Sequence, residues 1–253
     1  MTPWVTLLMA VPVAGAVGVA AVPKGSEETA KRVALGASLL TFVLSLVMLV
    51  DFHANSAKAF QLVEDHAWIA QFGIRYKVGL DGIALTMVLL TTFLTPIVLL
   101  ASWKQATRVK AFFALFLALE AAMVGVFCAL DLFLFYVFFE AMLVPMYFLI
   151  GVYGGERRVY AAVKFFLYTL LAGLLMLTAI VALYAMSRHQ AAAIGAGPHG
   201  TFDYEKLLRL TMSSAQAKWL FLGFFVAFAV KVPVFPFHTW LPDAHTEAPT
   251  GGS

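Results

Sequence analysis

The chain has 253 residues, 62% of them hydrophobic and 12% charged, and a formal net charge of +3. Soluble domains are roughly half apolar and about a quarter charged, so the composition excludes an ordinary soluble enzyme, a nucleic-acid binder and a disordered chain. Runs such as FFALFLALEAAMVGVFCAL are apolar throughout and lack the period-two alternation of a lipid-facing barrel, which predicts an all-α, polytopic membrane helical bundle.

About seven stretches are long enough to cross the hydrocarbon core: 4–22, 33–51, 80–101, 111–130, 132–152, 161–186 and 219–241. The first has no basic region ahead of it and reads as a retained span rather than a signal peptide. The loop at 52–79 holds AFQLVEDHAWIAQFGIRYKVGLDG, which suits an interfacial amphipathic segment or a short hairpin. Asp81-Gly82 opens the third span. The fourth and fifth are nearly continuous, broken by Asp131, and this requires a tight hairpin. After the sixth, AAAIGAGPHG gives a Gly/Pro break before FDYEKLLRL. There Asp203 caps a short helix with an expected apolar face of Leu207, Leu208 and Leu210. Pro233, Pro236 and Pro242 predict that the seventh span is a broken helix, running to about Lys231 and resuming as a second short piece.

The short loops after spans one, three and five carry Lys24, Lys31, Arg32, Lys104, Arg108, Lys110, Arg157 and Arg158. Basic short loops stay on the cytoplasmic side, so the N-terminus is expected to be periplasmic.

Charges inside apolar spans are costly and face a bundle interior or a wet cavity. Glu140 lies nine residues past Asp131, about 13.5 Å along a helix and close to mid-membrane; Pro145 disturbs the turn that follows it. Lys231 precedes the proline cluster, where the end of a helix favours a cation. A carboxylate near a loosened turn and an ammonium at a break are the pattern of an exchangeable proton site. Glu120 sits on the other arm of the Asp131 hairpin at a similar depth; its facing is not legible. Lys164 reads as a buried relay or an interfacial anchor, and His238 as a proton relay or a packing residue. Cys128 is alone, so no intrachain disulfide or Cys-based metal site is expected. With no P-loop, dinucleotide glycine motif or HExxH, the reading expects no cofactor and no metal on this chain. Movement of a small ion, H⁺ first, is the natural use of such sites.

DLFLFYVFFEAMLVPMYFLIGVYGG, VYAAVKFFLYTLLAGLLML and FAVKVPVFPFHTWLPDAHTEAPT resemble the antiporter-like membrane subunits of proton-pumping NADH:quinone oxidoreductase (respiratory complex I). The stretch FFEAMLVPMYFLIGVYGG is most similar to their subunit M branch, counterpart of mitochondrial subunit 4. The resemblance implies that Glu140 and Lys231 form the proton-translocating pair, with Glu120, Lys164 and His238 as further path residues. It implies partners among the other membrane subunits of the complex, including neighbouring antiporter-like ones, in the bilayer of the bacterial inner membrane. NADH, FMN, iron–sulfur clusters and quinone would belong to other subunits. Residues 1–110 would hold the first three helices, and 111–253 the first antiporter-like repeat. Family members have about fourteen spans in two inverted repeats. The reading therefore expects a chain cut before helix eight, without that helix's relay lysine or the second repeat. A subunit of a multi-component cation/proton antiporter, or a structural membrane-arm subunit without its own channel, are the alternatives.

Overall fold

The computed structural model describes residues 2–53, 55–105 and 107–253. Helices α1 (Trp4–Ala21) and α2 (Glu27–Asp51) form the first antiparallel pair. α2 begins ahead of its apolar run, because Glu27 and Glu28 in the first turn complement the helix dipole. Gly15 permits the close approach of the pair: a Cβ there would lie 2.4 Å from that of Ala37.

Strands β1 (Gln61–Ile69) and β2 (Ile74–Leu80) form an antiparallel hairpin. Among the described residues the other elements are helices, with isolated bridges at Val78–Ala129 and Asp131–Asp203. Of the forms open to the 52–79 loop, an amphipathic segment, a short hairpin or a plain solvent loop, the hairpin prevails, since Gly73 turns the chain at φ 65°, a conformation glycine adopts without cost. The hairpin also completes α1. Pro3 offers no side-chain cap, and Glu64 supplies the missing acceptor for Val5 N (2.8 Å) and Thr6 N (3.2 Å), two of the amides a helix start leaves unpaired.

α3 (Gly82–Ala101) starts at Asp81, whose carboxylate accepts from Ala84 N at 2.7 Å. α4 (Val109–Cys128) leads to Asp131, which caps α5 (Leu132–Ala141) by accepting from Phe133 N and Leu134 N. α6 (Leu143–Tyr153) continues α5 in one membrane-length path, Leu132–Tyr153. The two are separated at Met142, where Pro145 has no N–H to bond the carbonyl four residues back. α7 (Arg158–His189) is 32 residues long, about 48 Å.

Short helices α8 (Ala191–Ile194) and α9 (Tyr204–Leu207) follow. Asp203 caps α9 as expected, accepting from Glu205 N and Lys206 N. The expected face is corrected at one position: Leu207 and Leu210 are buried but Leu208 is 67% exposed. α9 is a single turn ending at Leu207, so Leu208 does not continue its buried stripe.

α10 (Ser214–Lys231) opens with a Ser213/Gln216 capping box and stops at Lys231. After a 3-10 turn at Phe237–Thr239 comes α11 (Trp240–Glu247). The seventh span is thus broken, as the prolines require. Among the described residues, six paths are long and apolar enough to cross a membrane: α1, α2, α3, α4, α5–α6 and α7. α10 falls short of the seven expected because Ser214, Gln216 and Lys218 occupy its first turns.

The fold has two polar ends. The short basic loops meet at one, where Lys31 Nζ donates to Trp103 O (2.7 Å), Lys110 donates to Val22 O and Tyr153 donates to Arg108 O (2.9 Å). The hairpin, the Asp131 turn and the loop after α7 meet at the other. Between them lie apolar cores, one uniting Phe139, Leu143, Phe165, Ala172, Met176 and Trp240 from α5, α6, α7 and α11.

Candidate functional site

Glu140 occupies the last turn of α5, beside the Met142 break, and its carboxylate points at the middle of α7. Gly173 makes the room: a Cβ there would stand 1.7 Å from Glu140 Oε1. That oxygen is buried without a protein hydrogen-bond partner. Lys231 ends α10, and its ammonium stands over the Phe139 ring, 4.6 Å from the centroid. Glu140 and Lys231 are each other's Coulombic neighbours. No ion pair within 4.0 Å joins them among the described residues.

The other expected residues fall elsewhere. Glu120 on α4 is fully buried, and neither carboxyl oxygen has a protein partner. It turns toward Thr95 of α3, whose hydroxyl donates to Thr91 O instead (2.9 Å). The two glutamates of the Asp131 hairpin therefore face different helices. Lys164 pairs with Asp243 of α11 at 2.7 Å, both side chains partly exposed, so it anchors the segment beyond the break. His238 lies in the 3-10 turn with Nδ1 buried and unpartnered, its ring 5.7 Å from that of Phe235.

The broken segment is held at four points. The Trp240 indole donates to Val230 O (2.8 Å), Thr239 donates to Tyr168 (2.9 Å), and Lys164 holds Asp243. Glu247 folds back onto the α6–α7 turn, taking Gly155 N on its carbonyl and Arg157 N on its carboxylate, both at 2.9 Å. Gly154 and Gly155 leave space for it, since a Cβ at either would come within 2.8 Å of Glu247. This accounts for Gly154 and Gly155 of GVYGGE, which lack any phosphate-binding context.

Three groups were not legible as parts of this site. Phe139 and Gly173 are an aromatic and a glycine among many in apolar helices, and only tertiary structure sets them against charges. Asp243 carried a weak signal in the LPDAH stretch, which forms part of α11. At the far end, Lys77 of β2 bonds Asp203 (2.8 Å) and Glu205 (2.7 Å). Burial opposes its charge, but the two carboxylates outweigh it and raise its proton affinity. Among the described residues no three His, Cys, Asp or Glu side chains converge to hold a metal ion.

Ionisable groups set at interrupted helices inside an apolar bundle define a class of polytopic membrane proteins with functional sites at broken spans. Residues 129–253 match a family model described as NADH:quinone oxidoreductase/Mrp antiporter, TM. The chain is 46% identical over 265 residues to NADH-quinone oxidoreductase subunit M of Rhodobacter capsulatus, covering 98% of this chain and 49% of that protein. It is 43% identical over 248 residues to NADH-ubiquinone oxidoreductase chain 4 of Arabidopsis thaliana, covering 97% and 48%. A chain of respiratory complex I from Thermus thermophilus with bound NADH superposes with TM-score 0.82 at 30% identity, over 98% of this chain and 48% of that one. A chain of the Mrp complex from Dietzia shares the fold, with TM-score 0.77 at 22% identity over 98% and 25%. Residues 129–253 thus match the NADH:quinone oxidoreductase/Mrp antiporter transmembrane family, and nearly the whole chain is similar to the subunit M and chain 4 relatives. It spans about half the length of the curated relatives it matches.

Proposed function

We propose that this chain serves a proton-translocating membrane-arm subunit of an NADH:quinone oxidoreductase, and that Glu140 and Lys231 are its proton-handling pair. One observation carries the reading: opposite charges on α5 and α10 lie at two helix interruptions, Coulombically coupled but unbonded. An ammonium beside a carboxylate holds its proton, and in apolar surroundings it releases the proton when the carboxylate withdraws. Redox-driven movement elsewhere in the complex would set the separation. Lys231 would then pass its proton onward, and Glu140 would recapture the reprotonated ammonium. Glu120, Lys164 and His238 serve the path less directly, with Lys164 placing α11 through Asp243. Residues 1–110 and 111–253 act as the leading helices and the first antiporter-like repeat. The partners are the other membrane subunits of the complex, including neighbouring antiporter-like ones. The basic end faces the cytoplasm of a bacterial inner membrane and the hairpin end, with the N-terminus, faces the periplasm, a placement supported by the clustering of basic loops.

The test substitutes Lys231→Met and Glu140→Gln in the full-length subunit and measures protons pumped per NADH oxidised. Each is expected to lower pumping several-fold in an assembled complex. Normal pumping by either variant after normal assembly overturns the pair.

A further inference from the structure

Lys231 and Glu140 attract one another, yet each occupies a separate seat. The Lys231 ammonium lies 4.6 Å from the centroid of the Phe139 ring. Phe139 directly precedes Glu140 on α5 and is 5% exposed. Its ring is fixed from two sides, by Phe135 with centroids 5.6 Å apart and by Phe228 at 6.3 Å and 88°. Phe228 lies one turn before Lys231 on α10, so the helix that carries the ammonium also orients the ring beneath it. The Glu140 carboxylate meanwhile sits in the notch at Gly173. An aromatic face attracts an ammonium through its quadrupole, most strongly when water is excluded. Unlike a carboxylate, it neither takes the proton nor bonds it directly.

We propose that Phe139 is a positioning residue whose ring is the second seat of the Lys231 ammonium, occupied when Lys231 parts from Glu140. This rests on the Glu140–Lys231 reading and deepens it. The pair is a two-position switch: Lys231 moves between a carboxylate and an aromatic face on adjacent residues of one helix. Among the described residues Glu140 is the charged neighbour of Lys231 and Phe139 its aromatic face, so removing the ring is expected to leave the pair closed.

The test replaces Phe139 in the full-length subunit, within the complete complex, by mono-, di- and trifluorophenylalanine. Fluorine drains the ring face of negative potential while nearly preserving its shape. The NADH-driven pumping rate is expected to fall stepwise with fluorine number, by roughly two- to thirtyfold in total, the range a cation–π contact spans. Phe139→Tyr, which keeps the face, is expected to pump near the wild-type rate, and Phe139→Leu to match the trifluorinated ring. A flat fluorine series overturns the aromatic seat, provided the complex pumps normally and still loses pumping on Lys231→Met. Equal loss in the Tyr and Leu variants beside a flat series also overturns it, because packing alone then explains Phe139. Silence of Lys231→Met overturns the underlying pair instead.

Discussion

At the scale of single residues, what is absent at Gly173 matters as much as the charges around it. A methyl group at that position would stand 1.7 Å from Glu140 Oε1, well inside contact distance, so Gly173→Ala must displace the carboxylate. The displaced group swings toward Lys231 or forces α5 from α7. In the full-length subunit Gly173→Ala is therefore expected to cut NADH-driven pumping several-fold. Glu140→Asp, one methylene shorter, should restore part of that loss when combined with it. Pumping assays on the single and double variants check this, and a wild-type rate for Gly173→Ala would remove the notch from the argument. The charges themselves were legible, because an ionised side chain in a run of Phe, Leu and Val stands out by its cost. Gly173 was not, since a glycine in an apolar helix has no local mark and its meaning depends on the glutamate of another helix.

Among the elements, the proline pattern determined most of the seventh span: a helix ending at Lys231, an interruption and a short second helix. What it did not show is how the freed backbone groups are satisfied. Pro233 prevents regular continuation, and the Val230 carbonyl takes its hydrogen from the buried Trp240 indole at 2.8 Å. Val234 N bridges back to Ala229 O instead. The 52–79 loop was legible only as an interfacial amphipathic segment, a short hairpin or a plain solvent loop, with the spacing of Trp68, Phe72 and Tyr76 suiting the first. Contacts distant in sequence favour the strands, including Glu64 capping α1 and Lys77 reaching Asp203. Trp240→Phe keeps the packing and deletes the indole donor. Leaving a buried carbonyl unpaired costs about 1–3 kcal/mol, so the amides of 232–247 should exchange hydrogen faster by roughly one to two orders of magnitude. Exchange mass spectrometry of the assembled complex reads this directly, and unchanged rates would assign the clamp to the other three holds, at Thr239, Asp243 and Glu247.

For the molecule as a whole, the end away from the basic loops is tied by buried charge across segments far apart in sequence. Asp131 caps α5 and also accepts from Arg75 N of β2 at 3.1 Å, so it joins the fourth and fifth helices to the hairpin. Burial pushes its carboxyl up to about 6, against the pull of its three amide donors, and nearby Asp203 adds to the rise. The folded state therefore binds this proton more tightly than the unfolded chain does. Stability from Asp131 is greatest below the ordinary aspartate value of 3.8, declines as pH rises toward 6, and is flat above that. A shift of this size corresponds to on the order of 3 kcal/mol. Lys77 adds no slope in that range, because its proton affinity is raised from the ordinary 10.5. Its contribution is complete at lower pH and is lost only as pH climbs through the raised value. Thermal midpoints of the complex between pH 4 and 7 are expected to fall with rising pH more steeply for the wild type than for Asp131→Asn, and the two curves should run parallel above pH 6.5. Parallel curves over the whole range would mean that Asp131 is ionised throughout and serves as a cap alone.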